Sequence, residues 1–268
     1  EFTLPPQIEA ATLDLRIGDA VRTIRVVPTL RPELTGVSAE VKLPEYLGRP
    51  QVLAKDVRGG SATLVKGSRA AFTATASRDL SAAWIDGKEV KPSGPTIPGA
   101  TVLVDGPSTT EFRWKDALGL EGKEPFVVTI TGRDDEAPTI SVEDLPRQKV
   151  LLDLEQLAFK VRAQDDFGVK RVGIEWKGVE DPTVKSPASG EAYLGAGGPE
   201  KEVLDLTGTF SAKALGIEPQ VINVRIFAED YLPGRERVYT PAHTFYVLNA
   251  EQHAIWLTEQ LSKWHRQS

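Results

Sequence analysis

The chain has 268 residues, 40% hydrophobic and 26% charged, with a net charge of −6 and a pI of about 5.3. That length suggests two domains of roughly 100–130 residues, and the negative balance supplies no broad positive field to recruit nucleic acid or anionic lipid. With no cysteine in the sequence, disulfide frameworks and thiolate zinc sites are excluded.

The start, Glu1-Phe2-Thr3-Leu4-Pro5-Pro6, has neither the basic nor the apolar region of a signal peptide. There is also no methionine, initiator included. Both features are expected of a segment whose leader was removed or which was excised from a longer protein. A chain whose modified methionines were lost from the sequence as written would look the same. No apolar run approaches the roughly 18 residues of a membrane span.

Short alternating runs follow. Thr12–Ile17 and Val21–Val27, separated by Gly18-Asp19, predict a hairpin. Val37–Leu43 is the next strand and is stopped by Pro44. Ser61–Val65 and Arg69–Ser77 come next, with Phe72, Ala74 and Ala76 on one face. Ala82–Ile85, a turn at Asp86-Gly87, Val102–Val104, Thr110–Trp114 and Phe126–Thr131 complete the first set. Gly132–Pro138 is polar, ends in proline and is expected to be a linker. The pattern then restarts with Thr139–Val142, Leu157–Arg162, Lys170–Trp176, Val203–Leu206, Val221–Phe227 and Thr244–Leu248. Gly178–Pro199, rich in Gly, Pro and Ser, is expected to be a long loop. Turn residues every 8–12 positions between short strands are the pattern of an all-β sandwich. Ala163–Gly168 and Lys115–Gly119 look like echoes of one another, as two copies of one fold would give.

From Asn249 the period changes to that of a helix. Asn249 and Gln252 are spaced as a capping box. Ala254, Leu257, Leu261 and Trp264 form an apolar stripe that still runs where the chain ends, so a longer helical region is expected. Trp256 and Trp264 lie eight residues apart, about 80° around the axis, and can flank one face. Trp256, Leu257, Leu261 and Trp264 are therefore the candidate interaction residues, with docking onto the second sandwich or another chain expected. The chain should meet a protein partner or a second copy through this helix, and a membrane only through segments outside it.

Of the three histidines, His253 and His265 fall on that helix and His243 on a late strand. None is spaced for a nucleophile elbow or a zinc site. Gly195–Gly198 lacks the flanking strand, helix and Lys-Ser/Thr ending of a phosphate loop. The acidic residues are the remaining candidates. Asp134, Asp135, Asp165, Asp166 and Asp230 lie at strand ends or in the linker, where carboxylates can converge on calcium, a cation that takes six to eight oxygens. The competing view is that they are turn formers bonding their own backbone. No other cofactor is expected. Trp84 and Trp176 each follow the first long buried strand of their half, where immunoglobulin-like cores place an aromatic, so both are expected in a core.

Ala39–Tyr46 with Gly48, which contains Pro44-Glu45-Tyr46-Leu47-Gly48, resembles the "P-x-Y-x-G" entry strand of large bacterial, planctomycete-type membrane-anchored proteins of unknown function. Leu64–Ser68 resembles their "x-x-x-G-S" turn, Asp135–Pro138 their "D-x-x-P", and Ala163–Gly168 their "A-x-D-D-x-G". Phe245–Leu248 with Glu251-Gln252-His253 is similar to the exit into their helical region. The resemblance spans residues 10–265. It implies an amino-terminal membrane anchor, tandem immunoglobulin-like repeats, a following coiled region and an extracytoplasmic location, and it brings no catalytic residues. A looser likeness is to cadherin repeats, through Gly132–Pro138 and Ala228-Glu229-Asp230. The "L-D-R-E" element of those repeats is missing here.

The expected architecture is all-β: a hairpin over residues 1–36, ending a preceding repeat, immunoglobulin-like β-sandwiches over 37–133 and 136–248, and a short C-terminal helix over 249–268. The expected role is a non-enzymatic, rigid extracytoplasmic spacer or interaction module. Its rivals are a calcium-stabilised adhesion module and an accessory glycan- or peptidoglycan-binding domain of a larger enzyme.

Overall fold

The computed structural model describes residues 8–267. The chain divides into two compact units, one holding the residues up to Lys42 with Val52–Gly132, the other Leu43–Gln51 with the residues from Arg133 onward.

The first unit opens on β1 (Ala11–Ile17) and β2 (Ala20–Val26), which pair only with each other, from Ala11 opposite Val26 to Ile17 opposite Ala20. Then come β3 (Leu34–Lys42), β4 (Val52–Asp56), β5 (Ser61–Val65), β6 (Arg69–Ala76), β7 (Leu80–Ile85), β8 (Lys88–Val90), β9 (Thr96–Leu103), β10 (Ser108–Asp116) and β11 (Phe126–Arg133). They form two sheets, in the orders β4-β3-β6-β9 and β5-β11-β10-β7-β8. Side chains alternate along a strand, so Val37, Ala39 and Val41 of β3 and Ala70, Phe72 and Ala74 of β6 are buried together. Ala83 and Ile85 of β7, Phe112 and Trp114 of β10, and Val128 and Ile130 of β11 supply the other half of that core.

The second unit contains a 3-10 turn at Glu45–Leu47, then β12 (Thr139–Glu143), β13 (Gln148–Leu152), β14 (Leu157–Gln164), β15 (Arg171–Gly178) and β16 (Ser189–Ala196). It continues with β17 (Val203–Phe210), β18 (Val221–Glu229), β19 (Val238–Tyr239), β20 (His243–Leu248) and α1 (Ala250–Gln267). Its sheets run β12-β14-β17 and β13-β20-β18-β15-β16, with β19 on β18. Phe159, Val161, Ile174, Trp176, Phe210, Ile226 and Phe245 belong to one apolar core.

Each unit is an immunoglobulin-like sandwich, and the two share a strand order. β3-β6-β9 corresponds to β12-β14-β17, and β5-β11-β10-β7-β8 to β13-β20-β18-β15-β16. The first unit adds β4 beyond β3, and the second adds β19. This alignment corrects the expected echo. Ala163–Gly168 follows β14, whose counterpart is β6, whereas Lys115–Gly119 follows β10, whose counterpart is β18.

Three further expectations are corrected. Trp84 is not a core residue. It is half-buried, because the small Ala83 and Ile85 on either side of it point inward and alternation turns Trp84 to the other face. The core indole is Trp114, only 6% exposed, whose Nε1 donates to the Pro32 carbonyl at 2.9 Å. Gly178–Pro199 is not a continuous loop, since β16 pairs with β15 from Lys177 opposite Ser189 to Arg171 opposite Ala196. Its glycine content reflects packing: a Cβ on Gly190 would lie 2.5 Å from the Trp176 ring. Nor is the Gly132–Pro138 linker wholly solvated. Gly132 and Arg133 end β11, and Asp135 is buried.

The helix begins as its capping box requires. The Gln252 N–H donates to Asn249 Oδ1 at 2.8 Å, and the Asn249 N–H donates to Gln252 Oε1 at 3.1 Å. Its stripe does not dock on the second sandwich, however. Leu257, Leu261 and Trp264 are 44%, 63% and 80% exposed, because among the described residues the helix meets the sandwich chiefly at β20, the strand it follows. Trp256 is half-buried and stacks on His253, with ring centroids 5.7 Å apart.

The three sandwich tryptophans separate these roles. Trp114→Ala and Trp176→Ala are each expected to cost about 3–5 kcal/mol, and Trp84→Ala about 1 kcal/mol, read as shifts in urea midpoint at constant slope.

Candidate functional site

The second unit gathers its acidic residues at one end of the sandwich. β14 stops at Gln164, and Asp165-Asp166 start the turn toward β15. Asp165 Oδ2 accepts the Phe167 N–H at 3.0 Å, the short local bond that makes aspartate a turn former. Gly168 completes the turn at φ +103°, where a Cβ would sit 2.3 Å from the Gly198 carbonyl oxygen. β18 stops at Glu229, and Asp230 Oδ1 accepts the Leu232 N–H at 3.2 Å. Asp135 lies in the segment leading into β12. Tyr46 stands on the 3-10 turn of the same unit.

Asp135, Asp165 and Asp166 meet there, each placing a carboxylate oxygen within 4.8 Å of the others. Asp135 and Asp165 are each 8% exposed. One oxygen of every carboxylate is held by the protein: Tyr46 Oη donates to Asp135 Oδ2 at 3.2 Å, the Phe167 N–H to Asp165 Oδ2, and Arg133 Nη1 to Asp166 Oδ2 at 2.7 Å. The other oxygen, Oδ1 in all three, is buried and has no hydrogen-bond partner. Phe167 backs the cluster, with the guanidinium carbons of Arg49 and Arg133 5.5 and 5.2 Å from its ring centre.

Burial is the main cause of the perturbed acidities. It pushes the Asp165 carboxyl up to about 6 against the Phe167 bond, and the charges of Asp135, Asp166 and Asp230 push the same way. Asp135 is also raised, first by burial, although the Tyr46 bond and Arg235 oppose it. The Tyr46 hydroxyl is held far above its ordinary value by burial and then by the charge of Asp135.

The remaining two candidate ligands stand differently. Asp230 is buried but paired with Arg235, which also donates to the carbonyls of Asp135 and Glu136. Asp134 is exposed and outside the triad. His243 is buried on β20 with Nδ1 3.0 Å from the Pro146 carbonyl. In the first unit Trp84 and Trp114 line a groove of about 500 Å³ with Glu111, Arg113, Glu121 and Lys123.

Sequence reasoning found the acids but missed Tyr46, Arg133 and Arg235 as their partners. Arg235 had a local signal, five residues after Asp230 in the turn that follows β18. Tyr46 is 89 positions from Asp135, and only the phrase Pro44–Gly48 marked it. The phrases Pro44–Gly48, Asp135–Pro138 and Ala163–Gly168 thus converge on one site.

No family model and no curated protein matches the sequence. Among solved structures, the chain is similar to the fibronectin(III)-like modules of Clostridium thermocellum CbhA, at 13% identity and a TM-score of 0.27, covering 70% of this chain and 88% of that one. It is also similar to a putative membrane anchored protein from Corynebacterium diphtheriae, at 11% identity and a TM-score of 0.25, covering 87% of this chain and 62% of the other. Both likenesses are loose.

The buried pairs predict a contrast in stability. Arg235→Ala strands Asp230 without its cation and is expected to cost about 3–5 kcal/mol. Arg58→Ala, which breaks an exposed pair with Asp56, should leave the urea midpoint unchanged within error.

Proposed function

We propose that this chain is a non-enzymatic, extracytoplasmic structural and interaction module of a larger membrane-anchored bacterial protein. The observation that carries this reading is the repetition of one strand order in two successive sandwiches, each with its own filled core. Antiparallel sandwiches stand alone and chain together, which suits a spacer. Their interiors are packed with side chains. No helix among the described residues is long and apolar enough to cross a membrane, so in this proposal the anchor belongs to another part of the protein. The exposed stripe of Leu257, Leu261 and Trp264 is the surface through which the module meets a second protein chain, since a lone helix of this length is marginal in water.

Sedimentation velocity and turnover assays test the proposal together. The chain is expected to show no hydrolase or transferase turnover, and to associate in a concentration-dependent way that Leu257→Ser with Leu261→Ser abolishes. Turnover removed by a single substitution would overturn the non-enzymatic reading. A chain that stays monomeric would remove self-association, and a helix fully ordered in hydrogen exchange in that monomer would remove the need for any partner.

The Trp84 groove favours a second reading, an accessory glycan-binding domain. A half-buried indole on the outer face of a sheet, flanked by Glu111, Arg113 and Lys123, offers an apolar plane ringed by polar groups. A glycan screen with the native chain and Trp84→Ala decides it: binding that the substitution removes supports this reading, and no binding ends it.

A further inference from the structure

The acidic cluster of the second unit is incomplete as a charge system. Asp135, Asp165, Asp166 and Asp230 contribute four carboxylates, and Arg133 and Arg235 answer with two guanidiniums. Two negative charges remain unmatched in a largely buried cluster, a costly arrangement unless a further cation is present.

The first unit shows how the same fold position is closed when no cation is needed. β10, the counterpart of β18, ends on Asp116, which is 1% exposed and accepts the N–H groups of Leu118 and Leu120 at 2.9 and 2.8 Å. The turn after β6, the counterpart of β14, supplies Arg78, whose Nε lies 2.9 Å from Asp116 Oδ2. In the second unit that turn carries Asp165 and Asp166 in place of an arginine, and Asp135 comes in beside them. Arg235, from the other side of Asp230, neutralises that residue and reaches Asp135 only at 3.9 Å.

We propose that Asp135, Asp165 and Asp166 bind one calcium ion. Three features of the cluster converge on it. Each carboxylate has its Oδ2 fixed by a protein donor and its Oδ1 buried without a hydrogen bond, with Arg235 Nη1 no nearer than 3.9 Å to Asp135 Oδ1, so the three Oδ1 atoms are the ligands on offer. One carboxylate oxygen of each residue lies within 4.8 Å of the others, inside the span of about 4.6–5.2 Å that two ligands across a calcium ion at about 2.3–2.6 Å can reach. Magnesium demands a near-ideal octahedron and keeps several of its waters, whereas calcium tolerates an irregular oxygen set. The donor set is all oxygen, which suits a hard cation, and one divalent ion cancels the two unmatched charges. Water supplies the remaining coordination positions. The site stands whether or not the chain serves as a spacer.

Chelator-treated protein is titrated with calcium chloride at constant ionic strength, and bound calcium is counted by equilibrium dialysis beside a thermal melt. One calcium ion per chain is expected to bind, with a saturable rise in Tm of about 5 °C at a hundredfold excess over Kd. Asp165→Asn is expected to abolish both responses. It keeps an oxygen for the Phe167 N–H, and in chelator it should melt no lower than the native chain because it removes a like charge. If Asp165→Asn does not fold, Asp166→Asn carries the same test. No calcium bound at about 10 mM, above the range of weak extracellular-type sites, overturns the proposal. So does a rise in Tm that magnesium reproduces equally, or one that survives both substitutions.

Discussion

A carboxylate carried out of water at the end of a sandwich strand must be compensated where it stands, because its solvation there falls by several kcal/mol. Both units place acids at such ends. Asp116 is held by two turn amides and by Arg78, and Asp230 by one turn amide and Arg235. These ties join the loop regions at one end of each sandwich to one another. In the second unit the same end collects more acid than base, and its geometry follows from that excess: amides, a phenol and two guanidiniums each hold one side of a carboxylate.

The strands themselves are simpler. Alternation along β3, β6 and β14 sends every second residue into a core, so the same short patterns build both units without long helices or disulfides. The added material differs. β4 extends the first unit at β3, and β19 is added to the second on β18, while β16, the counterpart of β8, packs where glycine makes room for the Trp176 ring. On the outer face of β18, Phe227 is fully buried beneath Arg237, whose guanidinium carbon is 4.0 Å from the ring centre, and beside Tyr193 and Tyr239. Arg237 also pairs with Glu191 and Glu229, so a salt-bridged lattice covers apolar surface that an edge hairpin would otherwise expose.

The helix contrasts with this economy of exposure. Its cap is complete, yet its stripe faces solvent. In the proposed module this exposed stripe is the surface offered to a second chain.

How much of this was legible in the sequence depends on the range of the interaction. The hairpin, most strands, the restart after Pro138 and the capping box rest on neighbours within a few residues, and the sequence alone determined them. The acids of the site were visible for the same reason, since aspartate at a strand end bonds its own turn. Tertiary structure alone decided which face Trp84 takes, that Trp114 fills the core, that a Gly-rich segment pairs as β16, and that Tyr46 and Arg235 reach Asp135 across 89 and 100 positions. Those outcomes depend on which strands lie side by side. Local pattern carries no record of that, because side-chain alternation is the same whichever neighbour a strand acquires.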